Sequence, residues 1–262
     1  MTGLYLAALA AIAASLSVLM AGAWVVQQRT GNSGWVDTIW TFSLGLVGVG
    51  SALWPIEGAP QSARQWLVAA LVAIWSLRLG VHIAIRSAGI SDDPRYADFA
   101  REWGADSPRR MFIFLQNQAL GSIPLVFAIF VAARFPGDGL RLADYLGALI
   151  LLVGIAGEAI ADAQLRAFRA DPANNGKVCD VGLWRWSRHP NYFGECCLWW
   201  GLWLVATAAG AWWSVVSPLL MTVLLLKVSG VPLLEKDLGR HRPGYADYAR
   251  RTPAFLPGRV RG

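Results

Sequence analysis

Long apolar runs recur along this chain, and they constrain its fold more than any other feature of the sequence. Each run holds about 18 or more residues, and roughly 20 helical residues are needed to cross the ~30 Å hydrocarbon core of a bilayer. Hydrophobic residues make up 55% of the chain and charged residues only 15%, a composition too apolar for an ordinary soluble domain. The sequence therefore predicts an all-α integral membrane protein.

Seven of these runs are long enough to be transmembrane helices. The first has no basic residues before its apolar stretch and stays apolar beyond the length of a signal-peptide core, so we interpret it as a span. No linker long enough to separate domains lies between the runs, which predicts one domain over residues 1–262. The predicted spans are Leu4–Val26, Trp35–Pro55, Gln65–Ile85, Met111–Ala133, Leu142–Ala163, Tyr192–Ala209 and Trp212–Val231.

The distribution of Lys and Arg predicts the orientation of these spans. With the N-terminus outside, nearly all the basic residues fall on one side, and the opposite side receives only Arg64, Arg134 and Arg141. Cytoplasmic loops retain positive charge, so seven spans would place the C-terminus in the cytoplasm. The net charge of +6 then describes a basic cytoplasmic face. Insertion topology and attraction to anionic membrane lipid explain that charge, so we expect no nucleic-acid partner.

The three cysteines give no sign of a metal site. Cys179, Cys196 and Cys197 lack the spacing of metal ligands, and the adjacent pair cannot readily form a disulfide with each other. We interpret them as reduced and structural, and we predict no bound metal.

Ionisable residues within the predicted spans indicate a polar cavity. Such groups are costly in a bilayer and usually face a partner or a water-filled cavity. Residues four apart share a helix face, so Arg78 points the same way as His82, and Asp162 points the same way as Glu158 and Arg166. Pairs that only fasten helices would explain part of this pattern. The whole set is large for that purpose alone and lies toward the cytoplasmic helix ends; it comprises Asp37, Arg78, His82, Glu158, Asp162, Glu195 and Lys227.

The densest local signal runs from Asp180 to Glu195 and contains the motif Gly-Leu-Trp-Arg-Trp-Ser-Arg-His-Pro-Asn-Tyr-Phe-Gly-Glu, from Gly182 to Glu195. Pro190 suits the first turn of a helix, and a helix N-terminus with arginines beside it attracts phosphate. An interfacial anchor built of Trp and Arg would look partly similar, but it would not need Asn191 or Glu195. The motif therefore predicts an anion-binding site at the start of the sixth span.

This motif, the preceding Asp162-Ala-Gln-Leu-Arg-Ala-Phe and the tail from Glu235 to Pro253 resemble the steroid 5-alpha-reductase superfamily of membrane reductases, in a bacterial branch of unknown function. The resemblance implies seven helices in a bacterial inner membrane and NADPH enclosed by their cytoplasmic halves. It also implies reduction of a carbon–carbon double bond conjugated to a ketone. The expected substrate is a 3-oxo-4-ene steroid or a similar lipid enone, with no obligatory protein partner.

The resemblance also implies a cofactor site that lacks the Rossmann fingerprint. Arginines in it would favour the 2′-phosphate of NADPH over NADH, and the two tail tyrosines would pack over the nucleotide. The implied cofactor-binding residues are Arg78, Arg95, Tyr96, Asp162, Arg166, Arg169, Trp184, Arg188, His189, Asn191, Tyr192, Glu195, Glu235, Tyr245 and Tyr248.

The implied reaction needs an acid or hydrogen-bond donor at the ketone oxygen. Animal members of the superfamily use a Gln-Glu pair in the second span and a Tyr in the third, whereas the matching places here read Val36-Asp37 and Trp75. Asp37 would act as a protonated donor where burial disfavours its charge. Trp75 offers only an indole N–H, and His82 is the third candidate.

Two other function classes stay open. The string from Arg188 to Tyr192 also resembles membrane methyltransferases that use S-adenosylmethionine on a lipid or prenyl substrate. Methyl transfer needs no deep proton donor and no 2′-phosphate site, so Asp37, Arg78 and the arginines near Asp162 favour the reductase. A lipid-binding protein or a transporter is the third class, although transporters often show internal repeats and none is seen here.

Overall fold

The computed structural model describes residues 2–55, 60–134 and 139–259, and within these ranges the chain is helical with no β-strand. Short 3₁₀ turns join some of the helices. This confirms the all-α class. The α-helices are α1 (Thr2–Thr30), α2 (Gly34–Ala52), α3 (Ala63–Ala88), α4 (Pro94–Trp103), α5 (Ser107–Ala132), α6 (Leu142–Ala170), α7 (Pro190–Ala208), α8 (Val216–Val223), α9 (Val231–His241) and α10 (Tyr245–Arg251).

Among the described residues, five helical segments are long and apolar enough to cross a membrane. These segments support a multi-pass membrane protein. Helices α2 and α7 coincide with the second and sixth predicted spans but fall outside this set, so the seven-span topology and its orientation stay predictions. The five segments are Gly3–Thr30, Ala63–Ala88, Pro94–Ala132, Leu142–Ala170 and Trp212–His241.

The seventh predicted span is helical but not one continuous α-helix. Helix α8 ends at Val223 and is followed by a π-helical turn over Leu224–Val228, and α9 begins after Gly230. The N–H groups of Ser229 and Gly230 both donate to the carbonyl oxygen of Leu224, at 2.9 and 3.3 Å. Pro232 has no N–H to extend the preceding helix, so the helix restarts at this point.

The chain forms two compact units. Unit 1 comprises Met1–Asp144 and Val205–Ser214, and unit 2 comprises Tyr145–Leu204 and Val215–Gly262. The prediction of a single domain is not tested by this division.

In unit 1, small residues bring α2 and α3 into close contact. A Cβ at Gly34 would lie 2.9 Å from Ser87 Oγ, and a Cβ at Gly45 would lie 2.0 Å from Ser76 Oγ. The later residue of α2 contacts the earlier residue of α3, so the two helices are antiparallel. These contacts also fix which residues of α2 and α3 lie at the same level.

In unit 2, glycines bring α6 and α7 together in the same way. A Cβ at Gly154 would lie 2.6 Å from the carbonyl oxygen of Gly194, and a Cβ at Gly201 would lie 2.6 Å from that of Gly147. Because the obstacles are backbone atoms, they cannot turn aside as a flexible side chain would. Close approach of this kind is how helices pack where burial in lipid gives no hydrophobic driving force.

The three arginines predicted to lie outside are bound within unit 1. Arg64 contacts both carboxylate oxygens of Asp144 at 2.6 Å, and both side chains are buried. Arg134 donates to the carbonyl oxygen of Trp54 at 2.6 Å, and Arg141 donates to that of Ala208 at 3.2 Å. These arginines therefore have structural roles as partners of a buried acid and of backbone carbonyl groups.

Candidate functional site

In unit 1, the guanidinium of Arg95 joins two carboxylates. Its Nη2 lies 2.5 Å from Asp37 Oδ2 and 2.8 Å from Asp93 Oδ2, and its Nε lies 2.9 Å from Asp93 Oδ1. Arg86 lies farther away, 3.7 Å from Asp37 and 3.6 Å from Asp93. We call Asp37, Asp93, Arg95, Tyr96 and Gln118 the Asp37 cluster. It ties the first turn of α2 to the start of α4.

Asp93 is a member of this cluster that the sequence reasoning missed. Its Oδ1 accepts the backbone N–H of Arg95 at 3.0 Å, which caps α4 ahead of Pro94. Burial alone would raise the pKa of Asp93, but hydrogen bonds and the positive charges of Arg95 and Arg86 outweigh that effect and lower it. The Asp-Pro pair is a recognisable helix-start signal, so the cap could have been read from the sequence.

Tyr96 is buried, and its hydroxyl lies between Asp37 and Gln118. The hydroxyl donates to Asp37 Oδ1 at 2.9 Å and accepts from Gln118 Nε2 at 3.3 Å. Asp37 thus accepts from Arg95 through one oxygen and from Tyr96 through the other. In this geometry the carboxylate is an acceptor, and the hydroxyl of Tyr96 is the group that it orients.

The three residues predicted to be catalytic do not share one level of the α2–α3 pair. Gly34 lies beside Ser87 and Gly45 lies beside Ser76, so Trp75 of α3 is at the level of the residue that follows Gly45 on α2. Asp37 is roughly nine residues from that level, or about 13 Å along the helix axis. His82 lies close to the level of Asp37, and its side chain is half-buried. Trp75 is fully buried farther toward the N-terminal end of α3. Arg78, also half-buried, lies between Trp75 and His82 on α3.

In unit 2, Arg188 and His189 share one carboxylate. Arg188 Nε donates to Glu235 Oε1 at 2.8 Å, and His189 Nε2 lies 3.0 Å from the same oxygen. Arg188 Nη1 donates to the carbonyl oxygens of Ala249, at 2.5 Å, and Thr252, at 3.0 Å. The described contacts of Arg188 therefore fasten the C-terminal tail to the start of α7.

Aromatic residues of the motif and the tail strengthen this attachment. Tyr248 donates from its hydroxyl to the carbonyl oxygen of Trp184 at 2.5 Å, and the Trp184 indole donates to that of Ala161 at 2.9 Å. Burial raises the pKa of Tyr248, because the charged phenolate is disfavoured there. The ring of Tyr192 stacks on His189 with centroids 5.5 Å apart. Tyr245 is buried beside Glu235.

Three carboxylic acids are buried where α6 packs on α7. Glu158, Asp162 and Glu195 are 4%, 5% and 6% exposed. Asn191 Nδ2 donates to Asp162 Oδ1 at 3.4 Å, and the indole of Trp199 donates to Glu195 Oε1 at 2.8 Å. We call Glu158, Asp162, Asn191 and Glu195 the α6–α7 polar group. The structure thus brings together Asp162 and Asn191, two of the predicted cofactor-binding residues.

The other basic residues of unit 2 are more accessible. Arg166 and Arg169 are exposed near the C-terminal end of α6, which continues to Ala170, beyond the predicted span. A pocket of about 420 Å³ lies elsewhere in unit 2; it is lined by Asn175, Gly176, Lys177, Val178, Asp180, Pro243, Gly244, Tyr248 and Arg251. Of these, the predicted site included only Tyr248.

No group of three or more His, Cys, Asp or Glu side chains in the described part of the chain is arranged to hold a metal ion. The described structure therefore offers no metal centre to consider as part of the site.

Comparisons with known proteins identify a family but no characterised relative. A search of curated proteins found no match, and a search of solved structures also found none. The model of the family described as "Protein of unknown function (DUF1295)" matches residues 23–252, which is most of the chain. The protein therefore belongs to the DUF1295 family.

Proposed function

We propose that this protein is a multi-pass reductase of a bacterial inner membrane that uses NADPH to reduce the conjugated carbon–carbon double bond of a lipid enone, such as a 3-oxo-4-ene steroid. The observation that carries the proposal is the α6–α7 polar group. Polar side chains between two apolar helices are costly and are kept where they serve a ligand, a proton or a partner. Asp162, Asn191 and Glu195 are among the residues that the resemblance to the steroid 5-alpha-reductase superfamily implies for cofactor binding.

In unit 2, Arg166 and Arg169 are exposed cations near the end of α6, and the phosphates of a nicotinamide dinucleotide need such groups. Arg95 and Arg188 fit this purpose less well, because carboxylates already neutralise them.

NADPH, when bound, supplies the hydride that the β-carbon of the enone accepts. On the protein's side, the Asp37 cluster offers a hydroxyl oriented by a carboxylate. Because Asp37 is held by Arg95, we propose that it positions Tyr96, whose single hydroxyl proton is donated to Asp37 in the structure and turns to a ketone oxygen when the substrate binds. Trp75 and His82 stay as alternative donors.

The proposal is tested by purifying the protein in mild detergent, extracting its bound small molecules and identifying any nucleotide by mass spectrometry. We expect NADPH or NADP⁺. Recovery of S-adenosylmethionine, or of its demethylated product, would instead assign the protein to methyl transfer. Recovery of neither, together with no binding of added NADPH, would favour a non-enzymatic lipid-binding protein.

A substrate assay completes the test. Purified protein supplied with NADPH and a 3-oxo-4-ene steroid should consume NADPH and form the saturated ketone. A matched steroid that already has a saturated ring is the control, because it offers no double bond to reduce. A panel of non-steroid lipid enones would then define the substrate class.

A further inference from the structure

The pocket of about 420 Å³ in unit 2 lies between two segments that are far apart in the sequence. One wall comes from residues 175–180, before α7, and the other from residues 243–251, around α10. The hydroxyl of Tyr248 in the second wall donates to the carbonyl oxygen of Trp184, just beyond the first, at 2.5 Å. Small-molecule sites occupy roughly 300–1,000 Å³. The pocket therefore has room for a small molecule, and not only for a single ion.

Backbone hydrogen bonds hold both walls in place. In the first wall, the N–H of Lys177 donates to the carbonyl oxygen of Asn174 at 3.0 Å. In the second, the residue after Arg251 is Thr252, whose N–H donates to the carbonyl oxygen of Tyr248 at 2.9 Å. The pocket is thus shaped before a ligand enters, which lowers the entropy cost of binding.

The charged side chains that line the pocket leave a surplus of positive charge. Lys177 and Arg251 are cationic, and Asp180 is anionic. Arg251 Nη2 lies 3.7 Å from Asp180 Oδ2, beyond hydrogen-bond distance, and both side chains are about half exposed. An exposed pair of this kind is weak, so Arg251 can turn to a ligand. Lys177 is exposed and forms no ion pair within the described ranges.

Two glycines leave the backbone of the walls uncovered. Gly176 and Gly244 have φ values of 78° and 83°, and a Cβ on either would meet nothing within 4 Å. A ligand can approach the main chain closely at such positions. The N–H of Gly176 has no acceptor in the part of the chain that the structure describes, so it is a donor that a ligand can use.

We propose that this pocket binds the phosphate group of a phosphate monoester. Such a group carries a charge of roughly −1.5 to −2 at pH 7 and three strong acceptor oxygens. Lys177 and Arg251 supply the two cations and Gly176 supplies a backbone donor, whereas a carboxylate has only one negative charge to offer them. The site is separate from the one assigned to NADPH, because Arg166 and Arg169 do not line it.

The test measures the binding of glycerol 3-phosphate to the full-length protein in phosphatidylcholine nanodiscs by calorimetry. Lys177→Gln and Arg251→Gln should each weaken binding about fivefold or more, because each removes a charge-assisted hydrogen bond. Lys236→Gln and Arg250→Gln are the matched controls, since both side chains are exposed and neither lines this pocket. Both controls should bind glycerol 3-phosphate as the wild-type protein does.

Asp180→Asn provides a test with the opposite sign. It removes the negative charge that competes with the ligand for Arg251, so glycerol 3-phosphate should bind about twofold more tightly or better. Misfolding does not produce a tighter site, so this variant tests the proposal even where the other substitutions disturb the loop.

The phosphate can belong to a soluble molecule or to a lipid headgroup, and the lipid of the nanodisc distinguishes the two. Nanodiscs with phosphatidic acid are compared with nanodiscs that carry the same negative charge as oleate, which has no phosphate. Weaker binding of glycerol 3-phosphate in phosphatidic acid than in oleate would assign the pocket to a lipid headgroup. Equal affinity in the two would assign it to a soluble phosphate ester.

Three results would overturn the proposal. They are no binding of glycerol 3-phosphate to the wild-type protein, equal binding by the wild type and both Lys177→Gln and Arg251→Gln, and weaker binding by Asp180→Asn. Failure of the proposed function is a separate matter, because glycerol 3-phosphate carries no nicotinamide. A protein that binds glycerol 3-phosphate through Lys177 and Arg251 but binds no NADPH would retain this site and lose the proposed reductase activity.

Discussion

At the scale of single residues, the arginines of this protein differ in their exposure. Arg95 and Arg188 are each bound to a carboxylate, and Arg188 also to two backbone carbonyl groups. Arg166 and Arg169 are exposed on the last turns of α6. Because Arg166 and Arg169 are exposed at a helix end, a soluble nucleotide can reach both of them, and we propose that they recognise the 2′-phosphate.

The exposed pair leads to a prediction about cofactor preference. Arg169→Ala should weaken NADPH binding about tenfold or more, since it removes a cation from the extra phosphate, and should change NADH binding much less. Dissociation constants for both nucleotides, measured on the purified variant, check this. Arg240→Ala, which removes an exposed arginine from α9, is the control. Equal losses of NADPH and NADH affinity would show that Arg169 does not recognise the 2′-phosphate.

Asp37 leads to a prediction about turnover. Asp37→Asn cannot form the ion pair with Arg95 and cannot exchange a proton, so turnover should fall about a hundredfold or more while NADPH still binds. Steady-state rates and cofactor affinity of the same preparation check both parts. Asp98→Asn on α4 is the control, because Asp98 is exposed and forms a local ion pair with Arg101. Undiminished turnover in Asp37→Asn would remove Asp37 from the site.

Sequence reasoning found part of this site, and the omissions have physical causes. Listing ionisable residues within apolar runs identified Asp37, Asp162 and Glu195, because a charge in such a run is conspicuous. Gln118 carries no charge and was not singled out, although a buried amide also needs partners. The pairing of Arg188 with Glu235 depends on how the tail folds back, and no local pattern encodes that.

At the scale of helices, apolar runs predicted α1, α2, α3, α5, α6 and α7 well, because one run corresponds to each. Helix α4 was missed because its composition is polar, although Tyr96, Phe99 and Trp103 recur at helical spacing. Phe99 and Trp103 stack 5.5 Å apart, and both rings lie against Phe114 of α5. The π-helical turn before α9 depends on hydrogen bonding, which composition does not show.

The α6–α7 contact leads to a prediction about packing. Gly154→Ala should destabilise the protein by about 1–3 kcal/mol, because the new methyl would meet the backbone of Gly194 at 2.6 Å. Gly157→Ala is a matched control three residues away on the same helix, where a Cβ would meet nothing within 4 Å. Unfolding temperatures of the two variants in the same detergent check the difference. Equal unfolding temperatures for the two variants would show that α6 and α7 do not approach each other closely at Gly154 and Gly194.

At the scale of the whole molecule, the hydrophobic pattern predicts which segments are apolar but not which segments become neighbours. Unit 1 is built from Met1–Asp144 together with Val205–Ser214, which are far apart in the chain. Arg64 shows how such distant parts are joined, since it contacts Asp144 and also donates to the carbonyl oxygen of Val205 at 3.1 Å. Nothing in the local sequence around Arg64 indicates either partner, so the organisation into units could not be predicted.

The Arg64–Asp144 pair leads to a prediction about global stability. Both side chains are at most 2% exposed, and removing one partner would leave a buried charge uncompensated. Arg64→Met should therefore destabilise the protein by about 3–5 kcal/mol, whereas the double variant Arg64→Met/Asp144→Leu should recover a large part of that loss. Unfolding of the two single variants and the double variant completes a thermodynamic cycle. A double variant no more stable than Arg64→Met would mean that the two charges do not compensate each other, and that Arg64 stabilises unit 1 chiefly through the carbonyl group of Val205.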